Sequence, residues 1–111
     1  MNNDVDAFID RCVASMDESK RGLTRPMLEQ FVWYNVQILE LQKQIEEEGA
    51  LIEVERGSAN HQYTAWVENP ASKVISRFTT QAGNHYAKLM RFLTKAEMEQ
   101  VDALEDFLKN G

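Results

Sequence analysis

The stretch from Thr24 to Glu48 constrains the fold more than any other, because it is apolar on two sides at helical spacing. One stripe collects Met27, Phe31, Tyr34, Ile38, Leu41 and Ile45. A second, Leu28, Val32, Val36 and Leu39, lies well over a quarter-turn away, and Trp33 lies outside both. A helix with one apolar stripe is satisfied by one neighbour, whereas this one needs two. Its start is read at Thr24 as N-cap, with Pro26 in the first turn where its missing N–H costs nothing. Leu23, just before that cap, is placed to staple onto Leu28. Gly49 supplies the stop.

The first partner is the helix that begins at Asn69, a cap followed by Pro70, and runs to about Leu93. One face holds Ala71, Val74, Ile75, Phe78, Ala82, Leu89, Phe92 and Leu93, with His85 on the same side. The opposite face holds Lys73, Arg77, Thr80, Asn84, Lys88 and Arg91. Between them runs a strip of small side chains, Ser72, Ser76, Thr79 and Gly83. A mid-helix glycine costs about 1 kcal/mol relative to alanine and is usually kept where another backbone comes close. Each of the two helices spans roughly 36–38 Å at about 1.5 Å per residue.

Gly49–Val67 separates them. Leu51–Val54 and Tyr63–Val67 have strand composition and Gly57-Ser58-Ala59-Asn60 has turn composition, so the segment reads as a short β-ribbon or an irregular loop. A helix over about Asp4–Glu18, with Val5, Phe8, Ile9, Cys12, Val13 and Met16 on one stripe, precedes a polar break at Ser19-Lys20-Arg21-Gly22. A last helix opens on the capping box Thr94-Lys95-Ala96-Glu97, buries Met98, Val101, Leu104, Phe107 and Leu108, and ends at Asn110-Gly111. The expected fold is all-α. A long antiparallel helical hairpin (24–93) is flanked by an N-terminal helix and turn (4–23) and a C-terminal helix (94–111). All belong to one domain over 1–111.

No catalytic constellation can be assembled, so an enzyme is not expected, and no cofactor or metal. His61 and His85 lack the spacing of ligands, and Cys12 is a single cysteine on an apolar stripe. His85 reads as a packed, hydrogen-bonded side chain. Arg56-Gly57-Ser58 lacks the glycine and lysine spacing of a phosphate loop. Glu46-Glu47-Glu48 are consecutive and diverge around the helix, so they cannot converge on an ion. Trp33, Tyr34, Tyr63, Trp66 and Tyr86 read as core or subunit contacts more readily than as platforms for bases. One cysteine suits a reducing cytoplasm. No apolar run is long enough for a bilayer, and Met1-Asn2-Asn3-Asp4 does not open a signal peptide.

Charge is segregated. The chain carries −6 overall, yet Asn69–Lys95 holds five cations and no acid, while Leu39–Glu55 holds six glutamates and one lysine. The first eighteen and last sixteen residues are each −4. An acidic total argues against a protein that simply coats nucleic acid, but such a chain can still present one basic face. Lys73, Arg77, Lys88 and Arg91 form a row that could follow a phosphate backbone by releasing counterions. The competing reading is a solvated face paired with the glutamates of the preceding helix and of the connection, which could match it in number.

Over Glu46–Thr94 the order of features is specific. A long helix ends in acids and glycine, and a short connection carries an aromatic. Asn69-Pro70-Ala71 follows, then a helix closing in Tyr86-Ala87-Lys88-Leu89-Met90-Arg91-Phe92-Leu93-Thr94. This resembles the small terminase subunits of tailed bacteriophages, in which an asparagine-proline pair opens a helix and glycine-leucine-threonine-proline closes it. Here Phe92 stands in place of the glycine and Lys95 in place of the proline, and the tail is acidic where relatives often carry a more basic segment. The resemblance covers less than half of the chain.

The resemblance implies a non-enzymatic, ring-forming homo-oligomer in the cytoplasm of a bacterial host. It would recognise double-stranded viral DNA at the start of genome packaging and regulate the large terminase subunit, which holds the ATPase and nuclease. Lys73, Arg77, Lys88 and Arg91 would face DNA. Phe31, Trp33, Tyr34, Ser76 and Gly83 would lie at the oligomer interface, with Ser76 and Gly83 permitting close approach. The acidic segments would be exposed, toward the large subunit. The alternative is a helical protein–protein interaction or regulatory module that does not bind nucleic acid.

Overall fold

The computed structural model describes residues 3–58 and 60–110. Met1 and Asn2, Ala59 of the expected turn, and Gly111 of the expected C-terminal stop lie outside these residues. The chain is mostly helical with one two-stranded antiparallel sheet. In order, α1 spans Asn3–Ala14, α2 Glu18–Glu48, β1 Leu51–Ser58, β2 His61–Glu68, α3 Pro70–Phe92 and α4 Lys95–Asn110.

The second helix begins at Glu18, six residues before the expected cap at Thr24. Asp17 is the N-cap, its Oδ1 accepting from the Ser19 N–H at 3.0 Å and the Ser19 hydroxyl at 2.9 Å. The polar run Ser19–Gly22 is therefore the first turn of α2 and not a break. Pro26 lies inside the helix. Proline removes the bond to the carbonyl four residues back and crowds it. That residue is Gly22, exposed and with nothing near the position of a Cβ, so water can take the carbonyl. The staple expected from Leu23 does not form, since Leu23 is 66% exposed. Thr24, expected to cap, is fully buried, and its hydroxyl has no hydrogen-bond partner among the described residues.

Both apolar stripes of α2 find partners. Along the first, α3 packs in the opposite direction: Phe31 meets Tyr86 at 5.8 Å, Tyr34 meets Phe78 at 5.3 Å, and Glu48 meets Asn69. On the second, Leu28 and Val32 join Val5 and Ile9 of α1 and Val101 and Leu104 of α4 in one buried cluster. Phe8 of α1 stacks on Phe107 of α4 at 5.0 Å, closing the outside of that cluster. The core therefore occupies one end of the molecule. Beyond it α2 and α3 continue as a pair, and Leu41, Ile45, Val74, Ile75 and Phe78 are only half-buried.

Glu97 ties the core together. It completes the α4 capping box, accepting the Thr94 N–H at 2.8 Å while the Thr94 hydroxyl accepts the Glu97 N–H at 3.2 Å. The same carboxylate accepts from Lys20 Nζ at 2.8 Å and from the Asp17 N–H at 3.1 Å. One buried acid thus satisfies donors at the starts of both α2 and α4. These bonds, the Lys20 ammonium first, hold its pKa down at about 2.

Gly49 ends α2 at φ 98°, its N–H donating to the Ile45 carbonyl at 2.7 Å. The strands are longer than their composition suggested. The ladder runs from Leu51 opposite Glu68 to Ser58 opposite His61. Ile52 and Val54 face Val67 and Ala65 on one side, while Leu51 and Trp66 lie exposed on the other. Gly57 has φ 105°, and a Cβ there would run into the His61 carbonyl, so this position requires glycine. With α2 at roughly 46 Å and the ribbon at roughly 26 Å, the 67 Å long dimension is close to their sum. The ribbon projects from the end opposite the core.

Asn69 joins ribbon, α2 and α3. It is 1% exposed. Its Oδ1 accepts the Ala71 N–H at 3.0 Å, as expected of the cap. Its Nδ2 donates to the Gly49 carbonyl at 3.0 Å and to Glu48 Oε1 at 3.3 Å, and its backbone N–H donates to the Ala50 carbonyl at 2.8 Å.

Three measurements follow from these contacts. Thr24→Val removes a buried unsatisfied hydroxyl at nearly constant shape and is expected to stabilise by about 1 kcal/mol in denaturant unfolding; destabilisation would show that the hydroxyl has a partner. Asn69→Ala loses a cap and two further bonds and is expected to cost about 2–3 kcal/mol. Glu97 has a depressed folded pKa, so its contribution is present above the ordinary glutamate value of about 4.3 and is lost as pH falls toward about 2. Acid unfolding should show a loss of up to roughly 3 kcal/mol in that window, absent in Glu97→Gln.

Candidate nucleic-acid interface and the adjoining groove

The start fixed by Asn69 determines which way every α3 side chain points. Lys73, Arg77, Lys88 and Arg91 are all exposed. At about 100° per residue they fall within an arc of about 60°, and from first to last they span about 27 Å. They form two pairs, Lys73 with Arg77 and Lys88 with Arg91, separated by about 16 Å of helix carrying the neutral side chains Thr80 and Asn84.

The competing reading, a row paired with the glutamates of α2 and of the connection, is not what the described side chains do. Among the described residues the ion pairs are Lys20–Glu97, Arg25 with Asp10 and Glu29, and Lys109–Glu105. None involves the α3 row. Of the α2 glutamates, Glu48 is bonded to Gln44 and Asn69 instead. The row thus stands as four cations without an ion pair among the described residues.

His85 lies half-buried on the other side of α3, stacked on Tyr34 at 5.6 Å. Its buried Nδ1 has no partner among the described residues, so the hydrogen-bonded histidine expected from the sequence is only packed. Burial, and secondarily the charge of Lys88, lower its pKa, which favours the neutral ring. Cys12 is buried in the core, and burial pushes its thiol up to about 11. Among the described residues no group of three His, Cys, Asp or Glu side chains could hold a metal ion. No described helix is long and apolar enough to cross a membrane.

The residues expected at an oligomer interface divide between core and surface. Phe31 is buried in its own chain, and Tyr34 is half-buried among Trp33, Phe78 and His85. Trp33 is 45% exposed, and Ser76 and Gly83 are exposed. Nothing lies within 4 Å of a Cβ built on Gly83. The close backbone approach expected at this glycine is not made within the chain.

Gly83 instead opens onto a groove with a volume of about 520 Å³. Phe31, Asn35, Ile38 and Gln42 of α2 form one wall. Thr79, Ala82, Gly83 and Tyr86 of α3 form the other, and Glu105 and Lys109 of α4 lie at the margin. Sequence reasoning missed this feature. The signal was available: Phe31 with Ile38 and Ala82 with Tyr86 recur at helical spacing on the side where small residues leave space. The part of α4 was not readable, because it depends on how α4 folds back across the pair.

Comparison with protein-family models, with curated proteins and with solved structures gave no match.

Proposed function

We propose that this chain is a non-enzymatic DNA-binding adaptor that works as a multi-copy ring, of the kind represented by the small terminase subunits of tailed bacteriophages. In this reading it engages double-stranded viral DNA through Lys73, Arg77, Lys88 and Arg91. It assembles through the long α2–α3 hairpin and hands the DNA to a large terminase subunit in the host cytoplasm. The observation that carries the reading is the row of exposed α3 cations without an ion pair among the described residues, on a chain that is acidic elsewhere. Four cations along one helix suit phosphate contacts, whose free energy comes from counterion release and carries no base sequence.

Two further features support the multi-copy part. A two-stranded ribbon is marginal in water without a third layer, and here Leu51, Tyr63 and Trp66 are exposed on it. Among the described residues, the part of α2 and α3 beyond the core likewise lacks a third helix.

The same exposed ribbon favours a second reading, an interaction module that binds only protein. The two differ in a salt titration of DNA binding. The adaptor should lose affinity between about 50 and 200 mM salt, with a slope of about −0.9 for each phosphate contact. Replacing Arg77 and Arg91 together by alanine should weaken binding on every DNA sequence and reduce the slope by about 2. Affinity unchanged by the double substitution removes the row from the function, and no binding at the lowest salt favours the protein-only module.

A further inference from the structure

The first half of β1 alternates apolar and acidic side chains along an open edge. Residues directly opposite in the ladder share a face. Leu51, Glu53 and Glu55 therefore stand on one face, across from Glu68, Trp66 and Thr64. Ile52 and Val54 stand on the other, across from Val67 and Ala65. The sheet has two strands, so the outer edge of β1 keeps a row of backbone N–H and C=O groups with no neighbouring strand among the described residues. Glu53 and Glu55 are exposed, and neither is in an ion pair among the described residues. Ile52 and Val54 are only half-buried.

We infer that the outer edge of β1 takes up an extended segment of another protein as a third strand, a segment in which lysine or arginine alternates with apolar residues. The inference deepens the reading of the ribbon as a protein contact and does not depend on the α3 row. The alternation in β1 dictates the complement, because side chains of an added strand also change face at every residue. Those beside Glu53 and Glu55 meet a carboxylate each time, where a cation is favoured and an acid is repelled. Those beside Ile52 and Val54 extend the apolar face already shared with Ala65 and Val67. Main-chain bonds give the attachment and alternate side chains give the selection. The ribbon gains what it lacks, since a third strand with an apolar face is what makes so small a sheet stable.

Charge excludes the other occupants of such an edge. A second copy offers β1, which sets acids against acids, or β2, which has no lysine or arginine between His61 and Glu68. The cations of α3 do not serve either, because they are held in a helix and recur at helical spacing, not at every second residue. Nucleic acids and anionic lipid surfaces carry the same sign as Glu53 and Glu55.

The test uses the full chain and three end-capped hexapeptides at about 10 mM salt, where exposed charges are weakly screened. One peptide alternates lysine with valine and one alternates glutamate with valine. The third has its lysines and valines in separate blocks. Binding is read from backbone amide shifts and amide exchange by NMR. Only the alternating lysine peptide should bind, and it should slow exchange along β1. Glu53→Lys with Glu55→Lys, both at exposed positions, should keep the circular dichroism and invert the preference. It should weaken the lysine peptide by about tenfold or more and admit the glutamate peptide. If that variant does not fold, Glu55→Gln should still weaken the lysine peptide. The inference is overturned if the lysine peptide does not bind, if the block peptide binds equally well, or if the substitutions leave the affinity unchanged. DNA binding is titrated on a different surface, so failure here leaves that reading standing, and failure there leaves this one.

Discussion

The buried amide of Asn69 is the contact on which the geometry of the molecule depends. Capping α3 uses only its oxygen, as any asparagine cap would. Its nitrogen is what joins two elements, by reaching the Gly49 carbonyl and the Glu48 carboxylate at the end of α2. The start of α3 is thereby fixed against the end of α2, and a helix fixed at its start has every later side chain fixed in direction. Tyr86 meets Phe31, Phe78 meets Tyr34, and the cationic row is left facing solvent. The register of the ribbon is set at the same point, because the Asn69 N–H holds the Ala50 carbonyl just before β1 begins.

Burial declines steadily along the molecule away from the core. Where α1 and α4 cover the second stripe of α2, side chains such as Ile9, Leu28 and Leu104 are sealed, and the Glu97 carboxylate fastens two helix starts at once. Further along, α2 and α3 have only each other. In the ribbon each strand has a single neighbour and Trp66 is in water. Local opening is easiest where buried apolar contacts are fewest, so the core is the part held most firmly and the ribbon the part that opens first. A partner that covers the ribbon or the two-helix stretch would gain apolar burial at about 25 cal/mol per Å². It would also order a segment that the isolated chain holds loosely.

Features specified by neighbours in sequence were legible in the sequence itself. Asn69-Pro70 opens α3, Thr94 and Glu97 form their reciprocal cap, Gly49 ends α2, and the two stripes of α2 foretold two packing partners. The start of α2 was misread because two cap patterns compete within eight residues. Thr24 before Pro26 looks the stronger one locally. Asp17 wins because Glu97, eighty residues away, accepts its N–H and pairs with Lys20, which no local pattern contains. The full length of the ribbon was hidden by Glu55 and Arg56, which lie beyond the Leu51–Val54 run read as strand and prove to be exposed residues of the same ladder, opposite Thr64 and Tyr63. The cationic row was legible as residues, while its lack of ion pairs depends on how α2 is turned.

That last point explains how an acidic protein keeps a basic face. Within α2, Glu40 and Glu47 lie near the direction of Trp33, well around the helix from Phe31 and Ile38, which meet α3. Within α3, the cations lie nearly opposite Ala82 and Leu89, the buried residues. The two sets therefore point away from each other across a pair of helices, each about 10–12 Å in diameter. Screening at physiological ionic strength has a length of about 8 Å, so attraction across that distance is largely lost to the solvent. Hydrophobic pairing of the two helices thus does more than build the hairpin. It turns the cations outward, away from Glu40 and Glu47 of the preceding helix.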